Sequence, residues 1–245
     1  MALINQRLRD ALAPTGTLRA GINLSNFLLV SGQNTDGTPA GVSPDLARHI
    51  AAILDVPCQF VAFETPGQLA DAATDDVWDI CNIAHEPERA RLIDFSQPYV
   101  LIDAHFLVRA DSPFTSNEDI DQPNVKIAAF YRSAYDLWLR DNLRHASLLA
   151  ADSIEQSHDL FLRGEADVLA SLRPRLQMEL AAGQHRMIAP RFTAIKQAVG
   201  IKKTDPAVLQ FLNDLIAATI KDGFIETSLA AHGVADKLSL PEPAG

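Results

Sequence analysis

The chain has 245 residues, of which 47% are hydrophobic and 21% charged, and 21 basic against 31 acidic residues give a formal net charge of −10. These values exclude an intrinsically disordered chain, which needs fewer apolar residues. The acidic balance argues against nucleic acid or an anionic membrane as a partner, because both need clustered Lys and Arg. The length allows one large domain or two smaller ones, each with its own core.

The N-terminal segment predicts a short helix. Ile4, Leu8 and Leu12 have helical spacing, so we expect an amphipathic helix within residues 1–15 that packs on the body of the protein. The first ten residues lack the basic start and the apolar stretch of a secretory signal. No run of 18 uncharged apolar residues occurs in the chain, so we also expect no insertion into a membrane.

Strand and helix patterns alternate from residue 17 onward, which predicts an α/β fold with mostly parallel sheets. The apolar segments predict strands over 17–23, 57–63, 78–84, 104–110, 126–130, 167–171 and 192–203. Helical patterns lie between them, among others over 66–75 and 133–144.

Helix starts are predicted from capping residues. Ser43 before Pro44 is typical of a helix N-cap, and Ser153 with Gln156 three residues later forms a capping-box pattern. Asp205 is predicted to cap the last long helix. The segment 236–245 contains two prolines and is predicted to be a C-terminal tail.

The sequence contains none of the common catalytic or metal-binding motifs. There is no phosphate-binding Gly-x4-Gly-Lys, no Gly-x-Gly-x-x-Gly and no Gly-x-Ser-x-Gly. The seven histidines are scattered, and Cys58 and Cys81 lie in separate apolar runs that are typical of buried, inert thiols. We therefore expect no metal and no cofactor.

Four motifs occur in an order that is specific to one family. The central one is Arg89 followed by Asp94-Phe-Ser-Gln-Pro-Tyr99. The others are Gly41-Val-Ser-Pro-Asp-Leu-Ala, Gly164-Glu-Ala-Asp-Val and Gly200-Ile-Lys-Lys-Thr-Asp-Pro. Over roughly residues 16–235, the chain resembles the family 3 solute-binding proteins, the extracytoplasmic receptors of polar amino acid ABC transporters.

The resemblance implies a fold and a division into domains. The fold would be a two-lobed, type II periplasmic-binding-protein fold, with two crossing hinge strands and a ligand cleft between the lobes that closes on binding. Lobe 1 would contain residues 16–106 and 198–235, and lobe 2 residues 107–197. It also implies a periplasmic monomer that works with a transporter permease, although the missing signal segment leaves a cytoplasmic location open.

Arg89 and the pair Arg132-Ser133 stand at two positions where the family has ligand contacts. Arg89 matches the arginine that holds the ligand carboxylate, a role that suits a guanidinium because it donates two parallel hydrogen bonds and stays charged when buried. Arg91 is the better candidate for a surface arginine. Arg132-Ser133 stands where the family has Gly-Thr or Gly-Ser; Ser133 would cap a helix and bind an anion there, and Arg132 would add charge to the cleft or point to solvent.

Several other positions depart from the family pattern. The Asp that holds the α-ammonium of an amino acid is replaced by Leu172, and an ammonium buried without a counter-charge is costly. Further candidate contacts differ from the usual family residues or lie beside the ligand in this alignment: Asn23, Asn26, Asn82, Ala84, His85 and Gln197. If the alignment is shifted near residue 172, Ser171 or Glu165 would face the ligand instead.

The retained arginine and the lost acid together predict a small carboxylate ligand that is not a standard free α-amino acid. A hydroxy acid, a keto acid, a dicarboxylate or an N-substituted amino acid would fit. Two alternatives remain: an enzyme similar to the cyclohexadienyl dehydratases, with Glu86 or His85 as the acid, and a cytoplasmic ligand-binding sensor. Tyr135 and Trp138 are interpreted as packing residues.

Overall fold

The structure is a computed structural model that describes residues 6–180 and 183–242. The helices are Gln6–Leu12 (α1), Val42–Leu54 (α2), Pro66–Asp71 (α3), Ala134–Asn142 (α4), Ile154–Leu162 (α5), Arg173–Leu180 (α6), Pro206–Lys221 (α7) and Phe224–Ala231 (α8). The strands are Leu18–Asn23 (β1), Gly32–Gln33 (β2), Pro39–Ala40 (β3), Cys58–Phe63 (β4), Ile80–Ala84 (β5), Ile93–Phe95 (β6), Val100–Arg109 (β7), Lys126–Phe130 (β8), Ser147–Ala151 (β9), Val168–Leu172 (β10), His185–Met187 (β11) and Thr193–Lys202 (β12).

The chain forms two compact units. Unit 1 comprises the described residues up to Leu101 and those from Lys196 onward, and unit 2 comprises Ile102–Ile195. The chain therefore passes from one unit to the other twice, once within β7 and once within β12.

Unit 1 is built on a mostly parallel sheet. Its strands follow the order β4-β1-β5-β12, in which β1 is parallel to both β4 and β5, and β12 is antiparallel to β5. One side of this sheet packs around Trp78, Leu69 and Cys81, which are buried together. The parallel strands end at one common edge, so the loops that follow β1 and β5 emerge side by side.

Unit 2 has a similar sheet. Its strands follow the order β7-β10-β8-β9, with β10 and β9 parallel to β8 and with β7 antiparallel to β10. Phe161 of α5 and Leu176 of α6 are fully buried in a cluster against this sheet. The α6 helix follows β10 without a turn and was not predicted, since its sequence buries only Pro174 and Leu176 and has little helical patterning.

The predicted helix caps were right at Ser153 and Asp205 and wrong at Ser43. The Ser153 hydroxyl accepts the Gln156 N–H at 3.0 Å, and the Asp205 carboxylate accepts that of Ala207 at 2.8 Å. By contrast, α2 begins earlier, with Gly41 as its N-cap. The Ser43 hydroxyl lies instead 3.0 Å from the Tyr99 hydroxyl. The residue that was predicted to cap the helix is therefore a buried residue with a tertiary hydrogen-bond partner.

The two ends of the described chain pack on unit 1. Leu8 and Leu12 of α1 are buried, and α1 lies against α7; Ile4 is outside the described residues. In the predicted tail, Ser239 forms an antiparallel bridge with Leu101, and residues 243–245 are likewise outside the described part. Among the described helices, none is both long and apolar enough to cross a bilayer.

Candidate functional site

Unit 1 brings several of the predicted residues to one edge of its sheet. Ile22 of β1 lies opposite Asn82 of β5, so Asn23 and Ala84 end their strands at the same edge. Gln197 of β12 is buried and lies opposite Ala84 in the antiparallel pair. Residues predicted to contact a ligand from separate parts of the sequence are therefore neighbours in this unit.

Arg89 is the charged residue at this edge that is best placed to bind an anion. It begins the 3-10 turn Arg89–Arg91 that follows β5, and only 5% of it is exposed. Its Nη1 donates to the carbonyl oxygen of Ala84 at 3.0 Å, which fixes the guanidinium beside the strand end. Arg91 is exposed, in agreement with its interpretation as a surface arginine.

Two asparagines at this edge have buried side-chain oxygens without a hydrogen-bond partner among the described residues. The Asn82 Nδ2 donates to the Ser43 carbonyl at 2.6 Å, which leaves Oδ1 as a buried acceptor. The Asn26 Oδ1 is also buried without a partner. The Asn23 Oδ1, in contrast, accepts from the Ser25 hydroxyl at 2.8 Å. At this edge, unit 1 therefore presents a guanidinium, which donates hydrogen bonds, and amide oxygens, which accept them.

His85 lies with a different group of residues. Its ring stacks on Phe95 with 4.7 Å between centroids and lines a cavity of about 650 Å³. The cavity is also lined by Lys196 and by Asn213 of α7, but not by Arg89 or Asn82. Burial, and secondarily the charge of Lys196, lower the pKa of His85, which favours the neutral imidazole.

Unit 2 places Arg132 and Ser133 where β8 turns into α4. Arg132 has a φ of 56°, in the left-handed region, so a family glycine at this position adopts the same backbone without strain. The Arg132 N–H donates to the Asp136 carboxylate at 2.8 Å. The Ser133 hydroxyl accepts the Asp136 N–H at 3.2 Å and caps α4, as predicted.

Leu172 ends β10 at the corresponding edge of unit 2. Val168 of β10 lies opposite Ile127 of the parallel strand β8, so Leu172 and the start of α4 are at the same edge. Glu165 precedes β10, at the opposite end of the strand, and its carboxylate lies 3.5 Å from Arg163. The geometry therefore does not support the shifted alignment in which Glu165 would face the ligand, whereas Ser171 remains at the edge of the sheet.

Tyr135 is only 3% exposed, in agreement with its interpretation as a packing residue. Its buried hydroxyl lies near the hydroxyls of Ser171 and Ser133. Burial raises its pKa to about 12, and the nearby hydroxyl of Ser171 partly opposes this rise.

The described ranges contain no group of three or more His, Cys, Asp and Glu side chains arranged to hold a metal ion. The groups gathered at the two edges are a guanidinium, amides, hydroxyls and helix N–H groups. The guanidinium and the N–H groups can hold an anion, whereas the amide oxygens accept hydrogen bonds from a ligand donor.

Comparison with known proteins relates these features to one family. Residues 19–232 match the model of the bacterial extracellular solute-binding proteins, family 3. The L-cystine-binding protein TcyJ of Escherichia coli is 24% identical over 227 residues, covering 91% of this chain and 84% of that protein.

Solved structures of binding proteins have a similar fold. The ancestral amino acid-binding protein AncCDT-1, a precursor of cyclohexadienyl dehydratase, superposes with a TM-score of 0.71 and 25% identity, covering 92% of this chain and 99% of that one. A putative ABC transporter binding component from Wolinella succinogenes, complexed with lysine, superposes with a TM-score of 0.72 and 22% identity. The match covers 88% of this chain and 95% of that one. The predicted fold class, an α/β fold of the type II periplasmic-binding-protein kind, is confirmed.

Proposed function

Because the chain belongs to the bacterial extracellular solute-binding proteins of family 3, we propose that it binds a small carboxylate for an ABC-type uptake system, without catalysis. The observation that carries the proposal is the buried guanidinium of Arg89, held at the edge of the sheet by the Ala84 carbonyl.

The carboxylate of the ligand binds to Arg89. A buried guanidinium keeps its charge, and its planar fork matches the two oxygens of a carboxylate. The hydrogen bond to Ala84 limits the rotation of the side chain, so less conformational entropy is lost on binding. Within unit 2, the N–H groups at the start of α4, which Ser133 caps, are separately able to attract an anion.

The ligand lacks a free α-ammonium group. At the end of β10, Leu172 stands where the family resemblance predicts an aspartate that holds the ammonium. The carboxylate of Asp136 in the nearby first turn of α4 is fully buried and accepts from Arg140 at 2.8 Å, so it is already paired with a cation. Cystine and lysine are named for similar proteins, and this departure is the reason for proposing a different ligand here.

The protein is a binding protein rather than a dehydratase. A dehydratase needs an acid that reaches the ligand. Of the two candidate acids, His85 has its ring on Phe95 in the cavity beside α7, and Glu86 is buried, with 7% of it exposed. Turnover of prephenate or arogenate by the purified protein would overturn this part of the proposal. We also propose that the protein acts outside the cytoplasmic membrane, as a monomer, and passes its ligand to a permease.

A ligand screen with two matched variants tests the proposal. Thermal unfolding is measured with hydroxy acids, keto acids, dicarboxylates, N-acyl amino acids and amino acids, for the wild type, Arg89→Ala and Arg91→Ala. A ligand at about 100 times its Kd stabilises the folded state by roughly 2.7 kcal/mol, which raises the melting midpoint by roughly 5–10 °C at this size. We expect the rise with one class of carboxylate, its loss in Arg89→Ala and its retention in Arg91→Ala. Binding that survives Arg89→Ala contradicts the proposal.

A further inference from the structure

Three polar residues of unit 1, none of them a candidate ligand contact, are linked by hydrogen bonds although they are distant in the sequence. Ser31 lies in the loop before β2, Asp45 is in the first turn of α2, and His232 is the C-cap of α8. The Ser31 Oγ lies 3.0 Å from Nδ1 of His232, and Nε2 of the same ring lies 2.8 Å from Oδ2 of Asp45. A hydroxyl, an imidazole and a carboxylate in this order form the arrangement that activates a serine nucleophile.

The direction of these hydrogen bonds follows from their chemistry. A carboxylate only accepts, so Nε2 of His232 carries the proton that bonds to Asp45. In the neutral imidazole the other nitrogen, Nδ1, is then an acceptor, and the Ser31 hydroxyl donates to it. A second acceptor for this hydroxyl, the carbonyl oxygen of Ala40, is farther away at 3.5 Å. The imidazole is therefore placed to remove the proton of the serine.

The Asp45 carboxylate is itself held in place. Its Oδ2 also accepts from the Ser228 hydroxyl of α8 at 2.9 Å, and its Oδ1 lies 3.4 Å from Nη1 of Arg48 on its own helix. A carboxylate fixed in this way orients the imidazole and stabilises the imidazolium that forms when His232 takes a proton. Asp45 and Ser228 are positioning residues, because they act through His232.

Exposure separates the nucleophile from its base. Ser31 is exposed, so a substrate can reach it, whereas only 19% of the His232 side chain is exposed. Contacts that serve only to hold α8 on α2 do not need Ser31, because the bonds from His232 and Ser228 to Asp45 already connect the two helices. The additional bond to an exposed hydroxyl is the observation that favours chemistry over packing.

We propose that unit 1 carries a second site, independent of the transported ligand, at which Ser31 and His232 hydrolyse small carboxylic esters. The Ser31 Oγ bonds to the ester carbonyl carbon while its proton passes to Nδ1 of His232. The bond from that carbon to the alcohol oxygen then breaks, and His232 returns the proton to the leaving alcohol. Water repeats the sequence on the acyl-serine, which releases the carboxylic acid and restores Ser31. Esters are the substrate class, because an alcohol leaves more readily than an amine.

Two measurements on the full chain test the proposal. Hydrolysis of 4-nitrophenyl acetate is followed by the release of 4-nitrophenolate for the wild type, Ser31→Ala, Asp45→Asn and two controls. Ser147→Ala removes an exposed hydroxyl that donates to the Val125 carbonyl at 3.3 Å, and His145→Gln removes an exposed imidazole. In the second measurement the wild type is treated with diisopropyl fluorophosphate, and peptide mass spectrometry locates the serine whose Oγ has displaced fluoride.

We expect Ser31→Ala to reduce kcat/KM at least ~100-fold and both controls to retain the wild-type value. Asp45→Asn should lower kcat at least ~10-fold and leave KM unchanged, because Asp45 acts on the imidazole and not on the substrate. A purely structural role of Asp45 would leave kcat of the folded variant unchanged, and melting curves show whether each variant is folded. The phosphoryl group should be found on Ser31 and be absent from Ser147.

Hydrolysis by Ser31→Ala at the wild-type rate would overturn the proposal, because the reaction would then come from other groups. An unchanged kcat in folded Asp45→Asn would equally exclude activation of the serine through the imidazole. The labelling experiment needs no variant, so it decides the question even if Ser31→Ala does not fold. A phosphoryl group that is absent from Ser31, or equally abundant on Ser147, contradicts an activated serine at position 31.

Discussion

The side-chain amide of Asn82 donates to the backbone carbonyl of Ser43 over 2.6 Å, and this bond ties the middle of β5 to the first turn of α2. Both residues are buried. The bond therefore holds the strand that leads to Arg89 against the helix that begins at Val42, and it leaves the Asn82 Oδ1 as the acceptor.

We expect Asn82→Ala to lower the free energy of unfolding by about 1–3 kcal/mol in the absence of ligand, since the buried Ser43 carbonyl loses its donor. The control is Asn142→Ala, which removes an amide that donates to the Trp138 carbonyl at 2.8 Å in an exposed position. That variant should change stability by no more than about 0.5 kcal/mol. The free energy of unfolding of both variants is measured by urea denaturation. Equal losses in the two variants would contradict the expectation that the buried hydrogen bond contributes more to stability than the exposed one.

Gly41→Ala should be strongly destabilising. Gly41 has a φ of 145°, and a Cβ at this position would lie 2.3 Å from the carbonyl oxygen of Leu29. Gly37→Ala is the matched comparison, because Gly37 also has a positive φ, of 81°, but nothing lies within 4 Å of its added Cβ. Backbone strain alone costs about 1–3 kcal/mol, so we expect a loss in that range for Gly37→Ala and a larger one for Gly41→Ala, both measured by urea denaturation. Similar losses of unfolding free energy in the two variants would show that the backbone around Leu29 moves and relieves the clash.

Stability should fall below about pH 6.5 because of His158. Burial lowers the pKa of His158 in the folded state from its usual 6.5, although its Nδ1 lies 3.0 Å from the carboxylate of Glu179. As the pH falls through 6.5, the unfolded chain binds a proton before the folded protein does, so the free energy of unfolding decreases until the folded imidazole is protonated too.

His158→Gln removes this group and should flatten the dependence of the melting midpoint on pH between about 6.5 and 5. His145→Gln is the control, because His145 is exposed. If His158→Gln and the wild type show the same slope while both remain folded, then His158 does not account for the loss of stability.

The two thiols should react slowly with iodoacetamide in the native protein. Cys81 is fully buried, and burial raises its pKa to about 12; burial also raises the pKa of the partly exposed Cys58. Because the thiolate is the reactive form, Cys58 should be modified before Cys81, and both rapidly only after unfolding. Mass spectrometry of timed samples checks this order, and fast modification of Cys81 under native conditions would contradict its burial.

Sequence reasoning reached the fold because its evidence is local and repeated. The strand predicted over 126–130 is Lys126–Phe130 in the structure, and the extended segment predicted over 192–203 is Thr193–Lys202. The wrong cap at Ser43 has a tertiary cause, since the hydroxyl is used by Tyr99, which is 56 residues away in the sequence. The individual ligand contacts remain predictions, as does the division of the chain given by the family resemblance.

The sequence by itself determined the α/β class and the family, because strand periodicity, helix caps and the Asp-Phe-Ser-x-Pro-Tyr motif are short patterns of neighbouring residues. Only the tertiary structure decided that the His85 ring lies on Phe95, and that the buried side-chain oxygens of Asn26 and Asn82 lack a partner among the described residues. Pairing of strands that are distant in the sequence places such groups together, and burial determines which of them need a partner. Neither property is encoded in the spacing of neighbouring residues.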